Sequence, residues 1–218
     1  MPEPRPAVDR KTILVGRSIC RLVAVAPWAW PLIGPSVARF FDRLAAGWDE
    51  RTQAGSAEHL ATLAAGLDSL SLKPERVLDL GCGTGAGTLF LAREFPAASI
   101  RGIDLSWEMI GKAQSKTGLD PDARISFRVA DAAKLPFGDN SFDLVTQVNM
   151  PVFFGEIARV LRPGGGLVIS HSLGQETPFS TPDHLTRKKL ASHGFDGVTS
   201  GAAGDGTWIA ARLEKSDD

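Results

Sequence analysis

Residues 77–87 read VLDLGCGTGAG, and this stretch decides the fold class of the chain. A short apolar strand pattern ends at Leu80, a glycine-rich loop follows, and a helical pattern begins at Gly85. In doubly wound sheets, loops that join a strand to a helix in this way bind ligands at the carboxyl ends of the strands. Glycines let such a loop turn tightly and approach a ligand where a Cβ atom would clash. The stretch therefore predicts a ligand site at the end of the first strand of a parallel sheet.

The rest of the chain alternates short apolar runs with helical patterns, which is typical of β–α units. Strands are predicted at 76–80, 100–104, 125–130, 142–148 and 166–170, with a closing hairpin at 194–200 and 207–213. Helices are predicted at 85–95, 106–116, 152–161 and 182–193. This order implies a parallel sheet with helices on both faces, and the hairpin adds an antiparallel edge. We predict an α/β fold with a doubly wound, seven-stranded sheet that is mostly parallel and has an antiparallel C-terminal strand.

The segment before this pattern is different, because short apolar runs begin to alternate with helical patterns only after Lys73-Pro74. We predict that residues 1–72 form an N-terminal helical cap and that residues 73–218 form the core. Prolines within 11–50 favour one or two short, interrupted helices there. The 17 residues from Leu22 to Ala38 carry no charge, but three prolines interrupt them and a spanning helix needs about 20 apolar residues. A membrane span is therefore not expected.

Composition excludes several classes of protein. The chain has 218 residues with 24 basic and 25 acidic side chains, for a net charge of −1. That balance argues against a nucleic-acid partner, because phosphate neutralisation dominates such binding. The only two cysteines, Cys20 and Cys82, form no disulfide framework and no metal-ligand spacing with histidine. We expect no metal site and a reducing, cytoplasmic location.

Three acidic residues lie where predicted strands end near the glycine loop. Asp79 precedes Gly81 by two residues, and a carboxylate there would repel a pyrophosphate but suits a positively charged ligand. Asp104 ends the next strand, where a dinucleotide fold would also place a ribose-binding acid. Asp131 follows the third strand and faces the same crevice. The residues alone indicate an adenosine-type cofactor and leave its identity open. The alternative is that the glycine loop is a tight turn without a ligand and that the acids only bond to groups of the loops.

Five ordered pieces of sequence resemble class I S-adenosylmethionine-dependent methyltransferases. They are VLDLGCGTG (77–85), GIDLS (102–106), ADAAKLPFGDNSFDLV (130–145), EIARVLRPGGGLVI (156–169) and GFDGV (194–198). The resemblance covers residues 38–213 and is closest in style to the small-molecule and quinone-type members. It implies a Rossmann-like methyltransferase fold, S-adenosylmethionine as the cofactor, and methyl transfer as the reaction.

The resemblance also implies roles for particular residues. The methionine part of the cofactor would be held by one carboxylate and the loop backbone: Asp79, Gly81, Cys82, Gly83, Thr84 and Gly85. Asp104 would accept hydrogen bonds from both ribose hydroxyls, with Leu105 packing near the adenine. Asp131 would accept from the adenine amino group, with the amide of Ala132 nearby. Gln147, at the end of the fourth strand, would contribute backbone to the methionine end.

The acceptor site is expected between the cap and the loops after the fourth and fifth strands. The stretch FDRLAAGWD (41–49) is similar to the F-D-x-x-A-x-x-Y-D opening of quinone-biosynthesis C-methyltransferases, with Trp48 in place of the tyrosine. Aromatic residues concentrate in this region, and they either pin the cap to the sheet or line an apolar acceptor pocket: Trp28, Trp30, Phe40, Phe41 and Trp48. His171, after the fifth strand, is the candidate general base, and a partly exposed loop histidine is the alternative.

The predicted function is methyl transfer from S-adenosylmethionine to a small, apolar or aromatic acceptor. Two alternatives stay open at this point. One is an NAD(P)-dependent oxidoreductase on a Rossmann-like fold, and the other is a non-catalytic S-adenosylmethionine-binding protein. A surplus of basic residues between Arg5 and Arg43 also allows a weak contact of the cap, over residues 13–41, with an anionic membrane surface.

Overall fold

The computed structural model describes residues 9–118, 120 and 122–214, and in these residues it contains one seven-stranded sheet. The strands are β1 (Arg76–Leu80), β2 (Ser99–Asp104), β3 (Ile125–Val129), β4 (Phe142–Val148), β5 (Leu161–His171), β6 (Phe195–Ala203) and β7 (Gly206–Leu213). Their order across the sheet is β3-β2-β1-β4-β5-β7-β6, and β7 alone runs antiparallel to its neighbours. The predicted fold class is therefore confirmed.

Eight α-helices accompany the sheet in the described part of the chain. They are α1 (Arg10–Val25), α2 (Trp30–Leu44), α3 (Trp48–Thr52), α4 (Ala57–Leu70), α5 (Ala86–Glu94), α6 (Trp107–Lys116), α7 (Phe154–Val160) and α8 (Asp183–Ser192). Short polar side chains begin three of them: Asp9, Ser56 and Ser106 each accept a hydrogen bond from a backbone amide of the first turn. Such caps satisfy donors that a helix start leaves free.

The hydrophobic core lies on both faces of the sheet because neighbouring residues of a strand point in opposite directions. On one face Leu78 and Ile169 pack with Ile157 of α7 and Leu190 of α8. On the other face Val77, Leu144 and Val168 pack with Leu63 and Leu67 of α4 and with Leu91 of α5. Helix α4 thus forms part of a sheet layer, although sequence analysis grouped it with the cap. The division at residue 72 stays a prediction.

The N-terminal helices are longer than the prolines predict. Helices α1 and α2 span 16 and 15 residues, and α2 contains two prolines. Pro31 lies in the first turn of α2, where the missing N–H group needs no partner. Pro35 lies inside the helix on its exposed side, so water can reach the carbonyl group that loses its partner. None of the helices that the structure describes is long and apolar enough to cross a membrane.

Strand β5 begins earlier than the predicted start at residue 166. Leu161 already pairs with Phe142, and the register then shifts so that Gly166 pairs with Leu144. The intervening Arg-Pro-Gly-Gly residues form an irregularity inside the strand, in which Gly164 has a φ of +79°. The residues between the predicted helix and the predicted strand are therefore part of the strand as a bulge, and the parallel pairing of β4 with β5 continues beyond it.

Candidate functional site

The glycine loop joins β1 to α5 at the carboxyl end of the sheet. Gly81, Gly83 and Gly85 have φ values of +61°, +52° and +88°, a region that side chains with a Cβ atom rarely adopt. A Cβ atom on Gly85 would also lie 2.9 Å from the ring of Phe127. The amide of Cys82 donates to the carbonyl of Ile103 at 2.9 Å and ties the loop to β2. The glycine pattern is thus required by the path of the backbone.

Asp104 connects the loop to the end of β2. Its Oδ2 accepts from the amide of Gly83 at 2.9 Å, and its Oδ1 accepts from the amide of Ser106 at 2.8 Å. Burial raises the pKa of this carboxyl above its ordinary value. A carboxylate offers about four lone-pair positions, so Asp104 retains acceptor capacity beyond these two bonds. Leu105, the next residue, packs half-buried against the core.

Asp79 lies beneath the loop and does not project from it. Its carboxylate accepts hydrogen bonds from the hydroxyl of Thr88 at 2.6 Å and from that of Thr146 at 3.0 Å. The side chain is only 2% exposed, and burial raises its pKa to about 6. Gly87 of α5 lies directly above it, since a Cβ atom there would be 3.2 Å from Oδ2. Asp79 therefore acts on the loop as a buried charge whose oxygens are already engaged.

Asp131 is bonded to the N-terminal cap. The indole Nε1 of Trp30 donates to Oδ1 at 2.9 Å and to Oδ2 at 3.1 Å, and the amide of Ala133 donates to Oδ1 at 2.9 Å. Trp30 is buried and packs edge-on against Phe153, with ring centroids 5.1 Å apart. Ala132 is buried beside the acid. The carboxylate that the resemblance assigns to adenine thus also holds the cap in place.

The 41–49 stretch covers the loop through two further carboxylates that sequence reasoning missed. Asp42 accepts from the hydroxyl of Ser106 at 2.6 Å, and Asp49 accepts from the hydroxyl of Thr84 at 2.5 Å. The indole nitrogen of Trp48 lies 3.8 Å from the position of a Cβ atom on Gly83. The F-D…W-D pattern contains both acids and could have indicated them. A short motif, however, does not predict which residues they bond to.

The cap aromatics divide between two roles. Trp30 pins the cap to the sheet edge, as described above. Phe41 instead packs with Trp48 and Phe179, at centroid distances of 5.6 and 5.4 Å, and with Phe40 at 5.3 Å. Trp28 is exposed. An aromatic cluster therefore stands beside the glycine loop, where the sequence placed either a pin or a pocket lining.

Two buried polar side chains at the ends of β4 and β5 have an atom without a hydrogen-bond partner among the described residues. The amide nitrogen of Gln147 donates to the carbonyl of Met150 at 3.2 Å, but its Oε1 has no partner. Met150 packs against the glycine loop, with Sδ 2.7 Å from a Cβ position on Gly81. Unpaired buried acceptors are uncommon, and each calls for a partner that the protein's own groups do not supply.

His171 is the second of these side chains. It is buried at the end of β5, so the alternative of a partly exposed loop histidine is wrong, and its Nε2 lacks a partner among the described residues. Burial and the charge of Arg17 lower its pKa to about 4, against a smaller opposite effect of Asp183. His171 is therefore neutral at physiological pH. In the described part of the chain, no group of three His, Cys, Asp or Glu side chains could hold a metal ion.

Comparison with known proteins points to one family. Residues 77–165 match a family model described as a methyltransferase domain. The O-methyltransferase cnsE of Penicillium expansum is 36% identical over 134 residues, covering 56% of this chain and 48% of the relative. The fatty-acid O-methyltransferase of Mycolicibacterium smegmatis is 41% identical over 98 residues, covering 42% and 35%. The chain thus matches about half or less of the length of these curated relatives.

Solved structures share the fold. A complex between the Haloferax volcanii Trm112 methyltransferase activator and a methyltransferase matches with a TM-score of 0.65 and 21% identity, covering 80% of this chain and 97% of the matched chain. Other matched structures, with TM-scores of 0.58 and 0.59, contain S-adenosylhomocysteine. At these identities the likeness extends to the fold alone.

Proposed function

We propose that this chain, which carries a class I S-adenosylmethionine-dependent methyltransferase domain, transfers a methyl group from S-adenosylmethionine to a small acceptor. The observation that carries the proposal is the pair of carboxylates beside the glycine loop. Asp104 accepts a hydrogen bond from the amide of Gly83, and Asp79 lies buried below the loop. Negative charge on both sides of the loop attracts a sulfonium and an ammonium group. The same charge repels the pyrophosphate of a dinucleotide, which disfavours the NAD(P) alternative.

The free acceptor positions of the site fit the parts of this cofactor. We assign the ribose hydroxyls to Asp104 and the adenine amino group to Oδ2 of Asp131, which accepts only the longer of the two bonds from Trp30. Leu105 and Ala132 would flank the adenine. The unpartnered Oε1 of Gln147 supports a place for this residue at the methionine end.

The loop backbone would hold the methionine part of the cofactor. We assign this role to Gly81, Cys82, Gly83, Thr84 and Gly85, with Asp79 acting through its charge from beneath. The bound cofactor supplies a methyl group that is already activated by the positive charge on its sulfur. The work left to the chain is to align the acceptor with that methyl group and to exclude water.

The acceptor is proposed to be apolar or aromatic. The cluster of Phe41, Trp48 and Phe179 supports this assignment, because it consists of uncharged rings and reaches the glycine loop through Trp48 beside Gly83. Rings of this kind bind flat or aliphatic molecules by burying apolar area. The cap would then serve as the wall of the acceptor pocket.

His171 remains the candidate general base for an acceptor that must lose a proton. A pKa of about 4 makes the imidazole a weak base but keeps it unprotonated at neutral and alkaline pH. We expect His171→Ala to lower the turnover of a hydroxyl acceptor by about a hundredfold, the lower end of what a general base contributes, with the same relative loss at every pH from about 6 to 9. Full turnover by the variant across that range would remove His171 from the mechanism.

The proposal is tested with S-adenosylmethionine that carries a labelled methyl group. The purified chain is incubated with phenols, quinones, carboxylic acids and small amines, with Asp104→Ala as the impaired control. We expect label in at least one apolar or aromatic acceptor. Binding of S-adenosylhomocysteine without transfer to any acceptor would instead indicate a non-catalytic binding protein. Binding of NAD in its place would indicate an oxidoreductase.

A further inference from the structure

The exposed large apolar side chains of the described residues are concentrated in the first two helices and the short turn between them. Seven of the nine large apolar side chains that are exposed in the described residues lie between residues 14 and 40: Leu14, Val15, Leu22, Val25, Trp28, Leu32 and Phe40. Trp28 and Leu32 are 78% and 79% exposed. We call these seven residues the cap face. Exposed apolar residues that cluster on one part of a surface often mark a site of interaction with a partner or a membrane.

Part of the cap face lies along a groove between the two helices. Leu14, Val15 and Leu22 of α1 line a groove of about 310 Å³ together with Ile33 of α2. The opposite side of α1 is occupied by the protein itself, because a Cβ atom on Gly16 would lie 2.6 Å from the carbonyl oxygen of Pro178. Helix α1 therefore uses one side to pack on the core and offers a second apolar side outward.

The segment that carries the cap face is rich in basic residues, with the exposed Asp9 just before it and Asp42 just after it. Residues 10–41 contain five basic side chains and no acidic one, although the whole chain has a net charge of −1. Arg10, Lys11, Arg21 and Arg39 are exposed and belong to the same two helices as most of the cap face. An apolar face with a basic border is the pattern of segments that lie in the interface of an anionic bilayer.

We propose that the cap face docks on the surface of an anionic lipid bilayer, with the apolar side chains in the interface and the basic residues on lipid headgroups. A second copy of the chain is a poorer occupant, because a symmetric contact would bring two sets of cations together. The proposal goes beyond methyl transfer and does not rest on it. Docking would also bring lipid next to the aromatic cluster, since Phe40 packs on Phe41.

Vesicle binding tests the proposal directly. The full chain is sedimented with large unilamellar vesicles of phosphatidylcholine, with or without phosphatidylglycerol. We expect binding to the phosphatidylglycerol vesicles that is at least roughly tenfold tighter than to phosphatidylcholine alone, and that weakens in high salt. No binding to either vesicle, or equal binding to both, would overturn the proposal.

Substitutions on the cap face locate the contact. The double variant Trp28→Ser/Leu32→Ser should lose about tenfold or more of the vesicle affinity, because it removes apolar area from the interface. Trp107→Ser is the matched control, since Trp107 is 63% exposed but lies outside the cap face. Arg21→Gln and Arg39→Gln should each cost about fivefold, whereas Lys188→Gln on α8 should cost nothing. All these residues are exposed, so folding, checked by circular dichroism, should be retained.

Two results would assign the cap face to another partner. If Trp28→Ser/Leu32→Ser binds vesicles as tightly as wild type does, the cap face is not the membrane contact. If sedimentation instead shows a dimer that the double variant converts to a monomer, and vesicles do not bind, the occupant is a second copy. Because vesicle binding is measured without S-adenosylmethionine, either result leaves the test of methyl transfer unaffected.

Discussion

The carboxylates around the glycine loop are held by the chain's own donors. Asp104 is fixed by two backbone amides, Asp79 by two threonine hydroxyls, and Asp131 by an indole and an amide. Such bonds fix the position of each acid before any ligand arrives, so little ordering remains to be done when a ligand binds. At the scale of residues, the site is therefore a set of pre-positioned negative charges.

The buried charge of Asp79 predicts a pH-dependent stability. Its pKa is raised from 3.8 to about 6 by burial, so the folded chain binds this proton more tightly than the unfolded chain. The associated stability is present at low pH and is lost as the pH rises through the interval between those values. Without cofactor, Asp79→Asn should be more stable than wild type at pH near 8, by about 1 to 3 kcal/mol, and equal to it near pH 4.

Urea unfolding of both proteins at the two pH values measures this difference. Asp68→Asn is the matched control, because Asp68 is exposed on α4 and should show no change. If Asp79→Asn is less stable than wild type at the higher pH, the charged Asp79 carboxylate does not destabilise the folded chain.

The bond between Trp30 and Asp131 predicts how firmly the cap is attached. Trp30→Phe removes the N–H donor and keeps a ring against Phe153, so it isolates the hydrogen bond to the carboxylate. A hydrogen bond to a charged group contributes about 1.5 to 3 kcal/mol, and since this bond is only partly buried we expect a loss toward the lower end of that range in the free energy of unfolding. Trp28→Phe, at an exposed position, should change the stability little. Similar stability of the two variants in urea would show that the bond does not hold the cap.

At the scale of elements, local patterns predict the β–α units well. The strands β1 to β4 and the helices between them begin and end within two residues of the predicted positions. Each of these elements carries its own periodicity and its own glycine or polar boundary. The two N-terminal helices and the start of β5 were predicted less well. Whether a helix tolerates a proline, and whether a strand continues through a bulge, depends on contacts with distant parts of the chain that the local sequence does not contain.

The packing of α4 on the sheet predicts opposite effects for two helical glycines. A Cβ atom on Gly66 of α4 would lie 2.5 Å from Cγ1 of Val168, a stiff branched side chain in β5. Gly111 of α6 has nothing within 4 Å of that position. We expect Gly66→Ala to destabilise the fold by about 1 to 3 kcal/mol, and Gly111→Ala to stabilise it by about 0.5 to 1 kcal/mol. Thermal unfolding measures both, and a stabilising Gly66→Ala would contradict the close approach of α4.

At the scale of the whole molecule, the site joins segments that are far apart in sequence. The placement of Asp79, Asp104 and Asp131 at one edge of the sheet was predictable, because each lies at or near the end of a strand and parallel topology brings those ends together. The bond from Trp30 to Asp131 spans 101 positions, and the bond from Ser106 to Asp42 spans 64. No periodic pattern signals such pairs, so the attachment of the cap became visible only in the folded chain.

Calorimetric titration with S-adenosylhomocysteine measures whether the glycine loop and Asp104 bind the cofactor. Wild type should bind, and Asp104→Ala should bind at least tenfold more weakly, because it removes the carboxylate assigned to the ribose and releases the amide of Gly83. Asp68→Ala, which removes an exposed carboxylate on α4, should bind as wild type does. Failure of wild type to bind, or equal affinity in wild type and Asp104→Ala, would contradict the account.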